Sequence, residues 1–517
     1  MDRPPVSAPT ESGAIVIVGG GPVGLTLALD LGRRGHQVTL LNRVDFIAAG
    51  SRAICFAKRS IEIFDRLGVG DAMMSKGVIW NVGKVYWSDG QDPIYQFDLL
   101  PVKDQKRPAF INIQQYYVEE RLVQALQPLP NVQIRWGHEV VEVDQQERSV
   151  RLKVRAGVDE YSLDADFVLA CDGCRSTVRD RLGLKFEGRI FEDNFLIADI
   201  KMKDARPAER CFWFDPPFNR GYSALLHKQP DDVWRLDFQL GWNVDRETCV
   251  QPANVDRYVR ALLGPGVPFV REWYSVYTFQ CRRMSSFVHG RVIFAGDSAH
   301  LVSPFGARGC NGGVADADNL AWKLDLILRG TADRTLLASY DQEASTAADE
   351  NILMSCRSTD FMTPKSPMSH AFRNAVLSLA KHYSFARPFV NSGRLSTAVH
   401  YPKSVLNTPD VDDWVMGVLP GSPALDAPIG KGWLLDLLGD RFVLLSHGWK
   451  ERLPAGVELI DLDHVYEDLS VLRSRYELER GGAYLIRPDQ YVAARWKSAS
   501  CEDCAAALHR AMGGGHG

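Results

Sequence analysis

The sequence predicts an α/β protein of more than one domain, in which a buried parallel sheet is interrupted by an antiparallel one. Three observations support this fold class. The chain has 517 residues, more than one ordinary domain holds. Near its start, a short apolar run, a glycine-rich turn and a helical pattern follow one another, as in a βαβ unit. Between residues 186 and 280 the pattern changes to strands of alternating polarity separated by turn residues.

Composition excludes several classes of protein. Hydrophobic residues make up 45% of the chain and charged residues 24%, as in ordinary globular proteins. The net charge of -4 gives no basic surface for nucleic acid or for an anionic membrane, and no segment is apolar for long enough to span a bilayer. Residues 1–12 are polar and proline-rich, which predicts a disordered leader. The ten cysteines follow no disulfide pattern, so we expect a cytoplasmic protein.

The first motif lies in the βαβ unit. AIVIV (14–18) is typical of a buried parallel strand, and VTLL (38–41) predicts the next strand. Between them stands a Gly-x-Gly-x-x-Gly turn, followed by a helical pattern that ends at Gly35. Gly19 makes the tight turn, Gly21 lets backbone N–H groups approach a pyrophosphate, and Gly24 lets the helix pack on the strand. The unit therefore predicts a Rossmann-like dinucleotide site at a helix N-terminus.

Asn42 stands where such a site usually carries an acidic residue bound to a ribose. An amide oxygen can accept the hydrogen bond of a ribose hydroxyl, but the bond is weaker without a charge. This motif alone therefore leaves open whether FAD or a nicotinamide cofactor binds.

Two later segments complete a recognisable set. Residues 166–179 read DFVLACDGCRSTVR, a strand followed by Asp172-Gly173. Residues 291–324 contain a strand (VIFA), Gly296-Asp297, a loop with prolines and glycines, and a helix that opens near Asn311. The three motifs in this order resemble the fingerprints of the class A flavoprotein monooxygenases, the para-hydroxybenzoate hydroxylase and phenol hydroxylase family. The resemblance covers nearly the whole chain and departs from the family pattern at Asn42, Cys174 and Ala344.

The resemblance implies an FAD-dependent aromatic hydroxylase that uses NADH or NADPH and dioxygen. In such enzymes NAD(P)H binds transiently and reduces FAD, oxygen adds at flavin C4a, and the resulting hydroperoxide attacks an electron-rich ring. No second glycine motif follows another strand, so NAD(P)H has no Rossmann domain of its own. Arg52 resembles the family's arginine near the FAD phosphates, and Gln115 its glutamine near the ribityl chain. The predicted cofactor residues are Gly19, Gly21, Pro22, Val23, Gly24, Asn42, Arg43, Arg52, Gln115, Asp172, Gly296, Asp297, Pro304, Gly306, Gly309, Cys310 and Asn311.

The residue types in the third motif suit this chemistry. The Asp297 carboxylate can accept hydrogen bonds from ribityl hydroxyls. Gly306 and Gly309 allow backbone N–H groups close to the flavin pyrimidine edge, where the following helix also points its positive end. The positive end of the helix stabilises the negative charge of the reduced flavin ring. For His300 we expect packing behind the site rather than acid–base chemistry.

The segment between the second and third motifs predicts the substrate side. GYSALLHK and VWRLDFQL, separated by residues 229–232, form a predicted hairpin, and Arg235 lies on the polar face of its second strand, which we expect to be solvated. The resemblance implies that one face of this sheet lines the aromatic site. A base or a cation there would offset the cost of about 4 kcal/mol for ionising a phenol at pH 7. The candidate catalytic residues are therefore Arg235, Tyr222 and His227, together with Pro304 of the loop.

The full prediction is a Rossmann-like FAD-binding domain with an inserted antiparallel-sheet substrate domain and a C-terminal thioredoxin-like domain. The thioredoxin-like part again rests on resemblance, to the phenol hydroxylase branch. Its strand FVLL (442–445) is followed by Ser-His-Gly-Trp without cysteine, so we expect a packing module rather than a redox domain. The predicted bounds are 13–185 and 281–370 for the FAD domain, 186–280 with part of 80–110 for the substrate domain, 371–410 for a helix and linker, and 411–517 for the thioredoxin-like domain.

Two C-x-x-C pairs, Cys171/Cys174 and Cys501/Cys504, lie too far apart in sequence to form one metal site, and we predict no metal. The expected partners are a small aromatic substrate, O2 and NAD(P)H. The sequence leaves open whether the chain forms a homodimer.

Three other functions compete with the hydroxylase. A flavin-dependent halogenase shares the fold, but its W-x-W-x-I-P segment is absent from this sequence. A reductase or dehydrogenase of the same fold would not transfer oxygen, and a non-enzymatic redox-sensing flavoprotein would need only the FAD motifs. Oxygen consumption in the presence of a phenol separates these alternatives.

Overall fold

The computed structural model describes residues 11–47, 53–99, 102–390, 395–465 and 468–514. The strands up to residue 201 are β1 (Glu11–Val18), β2 (Val38–Asn42), β3 (Cys55–Ala57), β4 (Val78–Ile79), β5 (Val82–Trp87), β6 (Tyr95–Asp98), β7 (Phe110–Asn112), β8 (Val132–Trp136), β9 (His138–Gln145), β10 (Val150–Ala156), β11 (Asp159–Ala170) and β12 (Glu187–Lys201). The later strands are β13 (Arg210–Phe214), β14 (Ser223–Lys228), β15 (Val233–Gly241), β16 (Val270–Arg283), β17 (Val288–His289), β18 (Val292–Phe294), β19 (His300–Leu301), β20 (Pro428–Ile429), β21 (Gly432–Trp433), β22 (Phe442–Ser446), β23 (Val457–Asp461), β24 (Ala483–Ile486) and β25 (Val492–Trp496). The α-helices are α1 (Pro22–Arg33), α2 (Lys58–Arg66), α3 (Gly70–Lys76), α4 (Gln115–Leu126), α5 (Thr177–Arg181), α6 (Arg246–Cys249), α7 (Pro252–Leu263), α8 (Gly309–Leu328), α9 (Leu337–Met362), α10 (Pro367–His382), α11 (Arg387–Val390), α12 (Leu434–Leu438), α13 (Ser470–Tyr476) and α14 (Cys501–Ala511).

The first sheet forms the centre of the chain. Its strands run in the order β17-β18-β11-β1-β2-β8, and β1 pairs in parallel with both β2 and β11. The apolar run of β1 is fully buried, as its uninterrupted hydrophobic pattern predicts. β1 begins at Glu11, two residues inside the predicted leader, whose residues 1–10 lie outside the described ranges. Because the three motifs follow β1, β11 and β18, they meet at one edge of this sheet.

The second sheet carries the predicted hairpin. Its order is β19-β16-β12-β15-β14-β13-β5-β6, with β14 and β15 antiparallel and joined by a turn in which Asp231 and Asp232 have positive φ. The apolar face, with Trp234, Leu236 and Phe238, packs against α7. The prediction of a solvated opposite face is wrong, since Arg235 is only 4% exposed. That face is buried beside the small sheet β3-β7-β4, which a pattern within one strand cannot reveal.

The C-terminal sheet has the order β23-β22-β24-β25, with β22 and β23 parallel. The connection between those two strands, residues 447–456, contains neither a helix nor a cysteine. Cys504 of α14 and Trp322 of α8 belong to one apolar cluster, so this region packs directly on the central part of the chain. The thioredoxin-like identity of the region and the domain bounds given above stay predictions.

The described residues contain neither a candidate membrane span nor a candidate metal site. No helix in those ranges is long and apolar enough to cross a membrane. No group of three or more histidine, cysteine or acidic side chains in the same part of the chain is placed to hold a metal ion.

Candidate cofactor and substrate site

The glycine turn between β1 and α1 has the shape that a dinucleotide needs. Gly19 has a φ of +111°, and a Cβ atom there would lie 2.3 Å from the carbonyl oxygen of Cys171. A Cβ atom on Gly24 would lie 2.0 Å from the Gly19 carbonyl oxygen, so helix and turn touch. Gly21, at the start of α1, has no heavy atom within 4 Å of its Cβ position. The space above Gly21 and the helix N-terminus is thus free for phosphate groups.

Asn42 closes this turn from the end of β2. Its Oδ1 accepts a hydrogen bond from the Gly20 N–H at 3.0 Å, and its Nδ2 donates to the Val44 carbonyl at 3.1 Å. Oδ1 retains a second lone pair for a ribose hydroxyl. Arg43 is exposed beside it, whereas Arg52 lies outside the described residues.

The second motif presents a carboxylate with an uncommitted oxygen. Asp172 Oδ2 accepts from the Val178 N–H at 3.1 Å, while Oδ1 is buried and has no hydrogen-bond partner within the described ranges. Burial raises the pKa of Asp172. Arg179 donates to the Ser298 and Cys174 carbonyls at 3.1 and 3.0 Å, and so ties the second motif to the third.

The third motif holds Asp297 on a turn that is anchored from behind. The neighbours Gly296 and Ser298 are buried, whereas Asp297 is exposed. Asp316 of α8 accepts from the Gly296 N–H at 2.9 Å and lies 2.6 Å from His300 Nε2. Burial would lower the pKa of His300, but the Asp316 carboxylate outweighs it and the pKa is raised. These contacts support the predicted packing role of His300.

The loop before α8 contains a buried phenylalanine next to an exposed proline. Phe305 packs between Phe195 and Phe279, with ring centroids 5.1 and 5.4 Å away, while Pro304 is exposed. Gly306 follows with a φ of +94°, a backbone conformation that suits glycine. Gly309 is the first residue of α8, and burial raises the pKa of the Cys310 thiol.

Asn311 joins this helix to the β3–α2 segment. Its Oδ1 accepts from the Ala57 N–H and the Ser60 hydroxyl, and its Nδ2 donates to the Cys55 and Ala307 carbonyls, all within 2.9 Å. These four hydrogen bonds use the full hydrogen-bonding capacity of the side chain, so only the backbone of Asn311 can bind a cofactor. Gln115 has a similar role at the start of α4, where its Oε1 accepts from the Ala53 N–H at 3.1 Å.

The candidate catalytic residues of the second sheet do not all meet. His227 and Arg235 are direct neighbours across β14 and β15. Arg235 forms a two-pronged ion pair with Asp199 at 2.8 and 2.7 Å, and both are buried. Tyr222 precedes β14, five residues from His227, and is 38% exposed. The strand spacing of about 3.3 Å per residue separates these two side chains by roughly 16 Å.

A residue that sequence reasoning missed, Arg210 of β13, completes the group. It is only 5% exposed and forms no ion pair with any described residue, and its Nη1 donates to Cys55 Sγ at 3.9 Å. The guanidinium lies over the rings of Trp80 and Phe212, and burial lowers its pKa. The only signal in the sequence is one cation at the edge of the apolar run CFWF.

We name Cys55, Arg210, His227 and Asp237 the sheet cluster. His227 Nε2 lies 3.4 Å from Asp237 Oδ2, while its buried Nδ1 has no partner in the described part of the chain. Burial, reinforced by Arg210, lowers the pKa of His227 to about 4, so the ring is neutral at pH 7. The Cys55 carbonyl accepts from Asn311 at 2.9 Å, which places the cluster next to the start of α8.

Comparisons with known proteins identify the family of the chain and proteins that share its fold. The model of the FAD binding domain family matches residues 13–355. A 3-(3-hydroxy-phenyl)propionate/3-hydroxycinnamic acid hydroxylase of Burkholderia cenocepacia (strain HI2424) is 28% identical, with 96% of each chain covered. The crystal structure of the flavin-dependent monooxygenase PieE in complex with FAD and substrate shares the fold, with a TM-score of 0.81 at 22% identity over 98% of this chain and 100% of that one. The p-nitrophenol 4-monooxygenase of Pseudomonas putida DLL-E4 is 27% identical, with a TM-score of 0.65 over 75% of this chain and 100% of its own. This chain belongs to the FAD binding domain family.

Proposed function

We propose that the chain is an FAD-dependent monooxygenase that hydroxylates a phenolic substrate with NAD(P)H and dioxygen. The observation that carries the proposal is the contact of two regions through Cys55. On one side lie the three cofactor motifs, and on the other lie buried polar groups of the sheet cluster that lack partners. The hydroxylases and monooxygenases named above support the reaction class.

The cofactor side fits FAD. Gly21 and the start of α1 leave room for the pyrophosphate, and the exposed Asp297 can accept hydrogen bonds from ribityl hydroxyls. Bound FAD supplies acceptance of a hydride from NAD(P)H and activation of dioxygen. The N-terminus of α8 adds a positive dipole at the same place, and Phe305 fixes the loop that carries Pro304.

The substrate side fits an aromatic anion. A buried guanidinium without a carboxylate is costly, and an anionic ligand removes that cost. We infer that Arg210 binds the phenolate or a carboxylate of the substrate, between Trp80 and the sheet. The hydroxylase of Burkholderia cenocepacia is named for substrates that carry both groups.

The neutral His227 supplies the proton acceptor. Its free Nδ1 can accept the hydrogen bond of a phenol hydroxyl, and Asp237 beside Nε2 can stabilise the ring once it is protonated. A histidine with a pKa of about 4 is a weak base, so the stabilisation of the phenolate by Arg210 is the larger contribution. In this scheme Arg235, already paired with Asp199, positions the strand that carries Asp237. Tyr222 lies too far away for direct contact.

A panel of phenols tests the proposal. We expect NAD(P)H oxidation by the FAD-loaded protein to accelerate with one class of phenol, including 3-(3-hydroxyphenyl)propionate, and mass spectrometry to find one added oxygen atom in the product. Acceleration without an oxygenated product would indicate the reductase or dehydrogenase alternative. No acceleration with any phenol would favour the redox-sensing flavoprotein. The homodimer and the cytoplasmic location stay proposals, the first testable by light scattering.

A further inference from the structure

We propose that Cys356 and Cys281 form a peroxide-sensitive thiol pair, which hydrogen peroxide converts to a disulfide that joins the second sheet to α9. The proposal does not depend on the proposed function, because the test supplies the oxidant.

The two cysteines meet although they are distant in sequence. Cys281 lies in β16 and Cys356 in α9, two elements that pack against each other, and the other thiol is the largest influence on the pKa of each. Cys281 is 1% exposed and Cys356 is half-buried. Both belong to the apolar cluster that contains Phe305, and the Cys281 sulfur also contacts the backbone of Ser303. A bond between them would therefore form directly behind the loop of Pro304.

The surroundings assign different roles to the two sulfurs. Cys356 is the more accessible of the two sulfurs, and the neighbouring Cys281 thiol lowers its pKa, against burial and the charge of Asp360, which raise it. The thiolate is the form that attacks peroxide. The more accessible sulfur, Cys356, is therefore the nucleophile, and Cys281 lies in position to resolve the product.

The reaction balances with hydrogen peroxide alone. The Cys356 thiolate attacks one peroxide oxygen, the O–O bond breaks, and the departing hydroxide takes a proton to become water. This leaves a sulfenic acid on Cys356. The Cys281 sulfur then attacks the Cys356 sulfur, the S–O bond breaks, and a second water leaves. Two thiols are oxidised by two electrons and one peroxide is reduced.

Neither C-x-x-C pair of the sequence has these properties. Cys504 is buried, and burial raises the pKa of its thiol to about 12. Burial likewise raises the pKa of Cys171. These thiols stay protonated at neutral pH, so the spacing of cysteines in the sequence points to the wrong pairs.

Peptide mapping of the FAD-loaded protein tests the proposal. The protein is treated with a few equivalents of hydrogen peroxide, alkylated with iodoacetamide while still folded, and digested with trypsin without reductant. Trypsin releases Cys281 in 272–282 and Cys356 in 335–357, each as the only cysteine of its peptide. We expect these two peptides to be cross-linked and to separate after reduction. Both cysteines recovered as free thiols, while the exposed Cys174 is oxidised, would overturn the proposal.

Two variants assign the order of events. Cys356→Ser is expected to leave Cys281 reduced, and Cys281→Ala to leave a sulfenic acid on Cys356 that dimedone traps. The double variant C501S/C504S is the matched control and should keep the cross-link. Flavin absorbance and the melting temperature establish that each variant is folded, and Cys356→Ser, at the half-buried position, is tested first. Oxidation of Cys281 in the Cys356→Ser variant at the wild-type rate would contradict the assigned roles.

Discussion

Two groups of buried charges in this chain differ in how completely they are paired. The junction cluster, which we define as Lys323, Glu343, Arg487 and Asp489, connects α8 and α9 to the turn after β24. Arg487 binds both oxygens of Glu343 at 2.7 and 3.1 Å and reaches Asp489 at 2.9 Å, while Lys323 donates to Glu343 at 2.8 Å. No side-chain nitrogen or oxygen of these four residues is left without a partner, whereas Arg210 and His227 of the sheet cluster each have such an atom.

The electrostatics of the two clusters differ in the same way. Burial would raise the pKa of Glu343, but Arg487 and Lys323 lower it, so the carboxylate stays charged. In the sheet cluster burial prevails, since the pKa of Arg210 and that of His227 are both lowered. We propose that the paired cluster holds the C-terminal region against α8 and α9, and that the unpaired one is a ligand site.

Arg487→Met should have the largest effect. Removing Arg487 leaves the buried Asp489 carboxylate without a cation and Glu343 with Lys323 as its remaining cation, which costs about 3–5 kcal/mol of the free energy of unfolding. Urea unfolding followed by circular dichroism measures the loss. Arg151→Met, which breaks the exposed pair with Asp164, is the control and should leave the unfolding midpoint unchanged. Equal midpoints for Arg487→Met and the wild type would disprove the role of the junction cluster.

Lowering the pH should reduce the free energy of unfolding through protonation of His227. Its pKa is about 4 in the folded chain and about 6.5 when unfolded, so between these values only the unfolded state binds the proton. Stability is therefore lost as pH falls from 6.5 to 4, by up to about 3 kcal/mol. His227→Gln should flatten this part of the stability–pH curve, whereas the exposed His509→Gln should not. The same slope in both variants would show that His227 is not held neutral.

Asp297→Ala tests the cofactor side of the site. A charge-assisted hydrogen bond contributes about 1.5–3 kcal/mol, so the dissociation constant for FAD should rise from roughly tenfold to more than a hundredfold. Titration of the apoprotein with FAD, followed by flavin fluorescence, gives both constants. Asp325→Ala is a control on the same chain, because Asp325 pairs with His36 and Arg329 on another part of α8. FAD affinity that survives loss of Asp297 would remove this carboxylate from the binding site.

Arg210→Met is the counterpart of Arg487→Met and should act in the opposite direction. Without substrate, loss of an unpaired buried cation should raise the free energy of unfolding by about 1 kcal/mol. The KM for a phenolic acid should rise by roughly tenfold or more, because its anionic group loses its partner. Thermal unfolding and NAD(P)H oxidation kinetics give the two values. A variant that is destabilised as strongly as Arg487→Met would mean that Arg210 is structural.

The smallest effect is expected from C501S/C504S. Both cysteines lie in the first half of α14, remote from the motifs, so the rate of substrate-dependent oxidation should stay within a few-fold of the wild type. A large loss of activity in a folded, FAD-loaded double variant would assign them a role in turnover.

The parts of the site that local sequence determines could be predicted, and those that depend on tertiary contacts could not. The glycine turn after β1 and the hairpin of β14 and β15 follow from backbone requirements of a few adjacent residues. The burial of Arg235 depends on β3 and β7, which come from a distant part of the chain. The orphaned state of Arg210 and the contact of Cys281 with Cys356 are likewise products of packing, which spacing along one strand or helix does not encode.

Flavin reduction in the stopped-flow spectrometer tests the central claim most directly. Oxidised, FAD-loaded protein is mixed anaerobically with NAD(P)H, with and without a phenol that gives product, in the wild type and in Arg210→Met. A ligand can change the rate of reduction only if it binds one state of the pocket better than another. We therefore expect the phenol to accelerate the loss of the oxidised flavin absorbance in the wild type. The same phenol concentrations should not accelerate this loss in Arg210→Met. Equal rates with and without phenol in the wild type, or the same phenol dependence in the variant, would contradict the assignment of the sheet cluster as the substrate site.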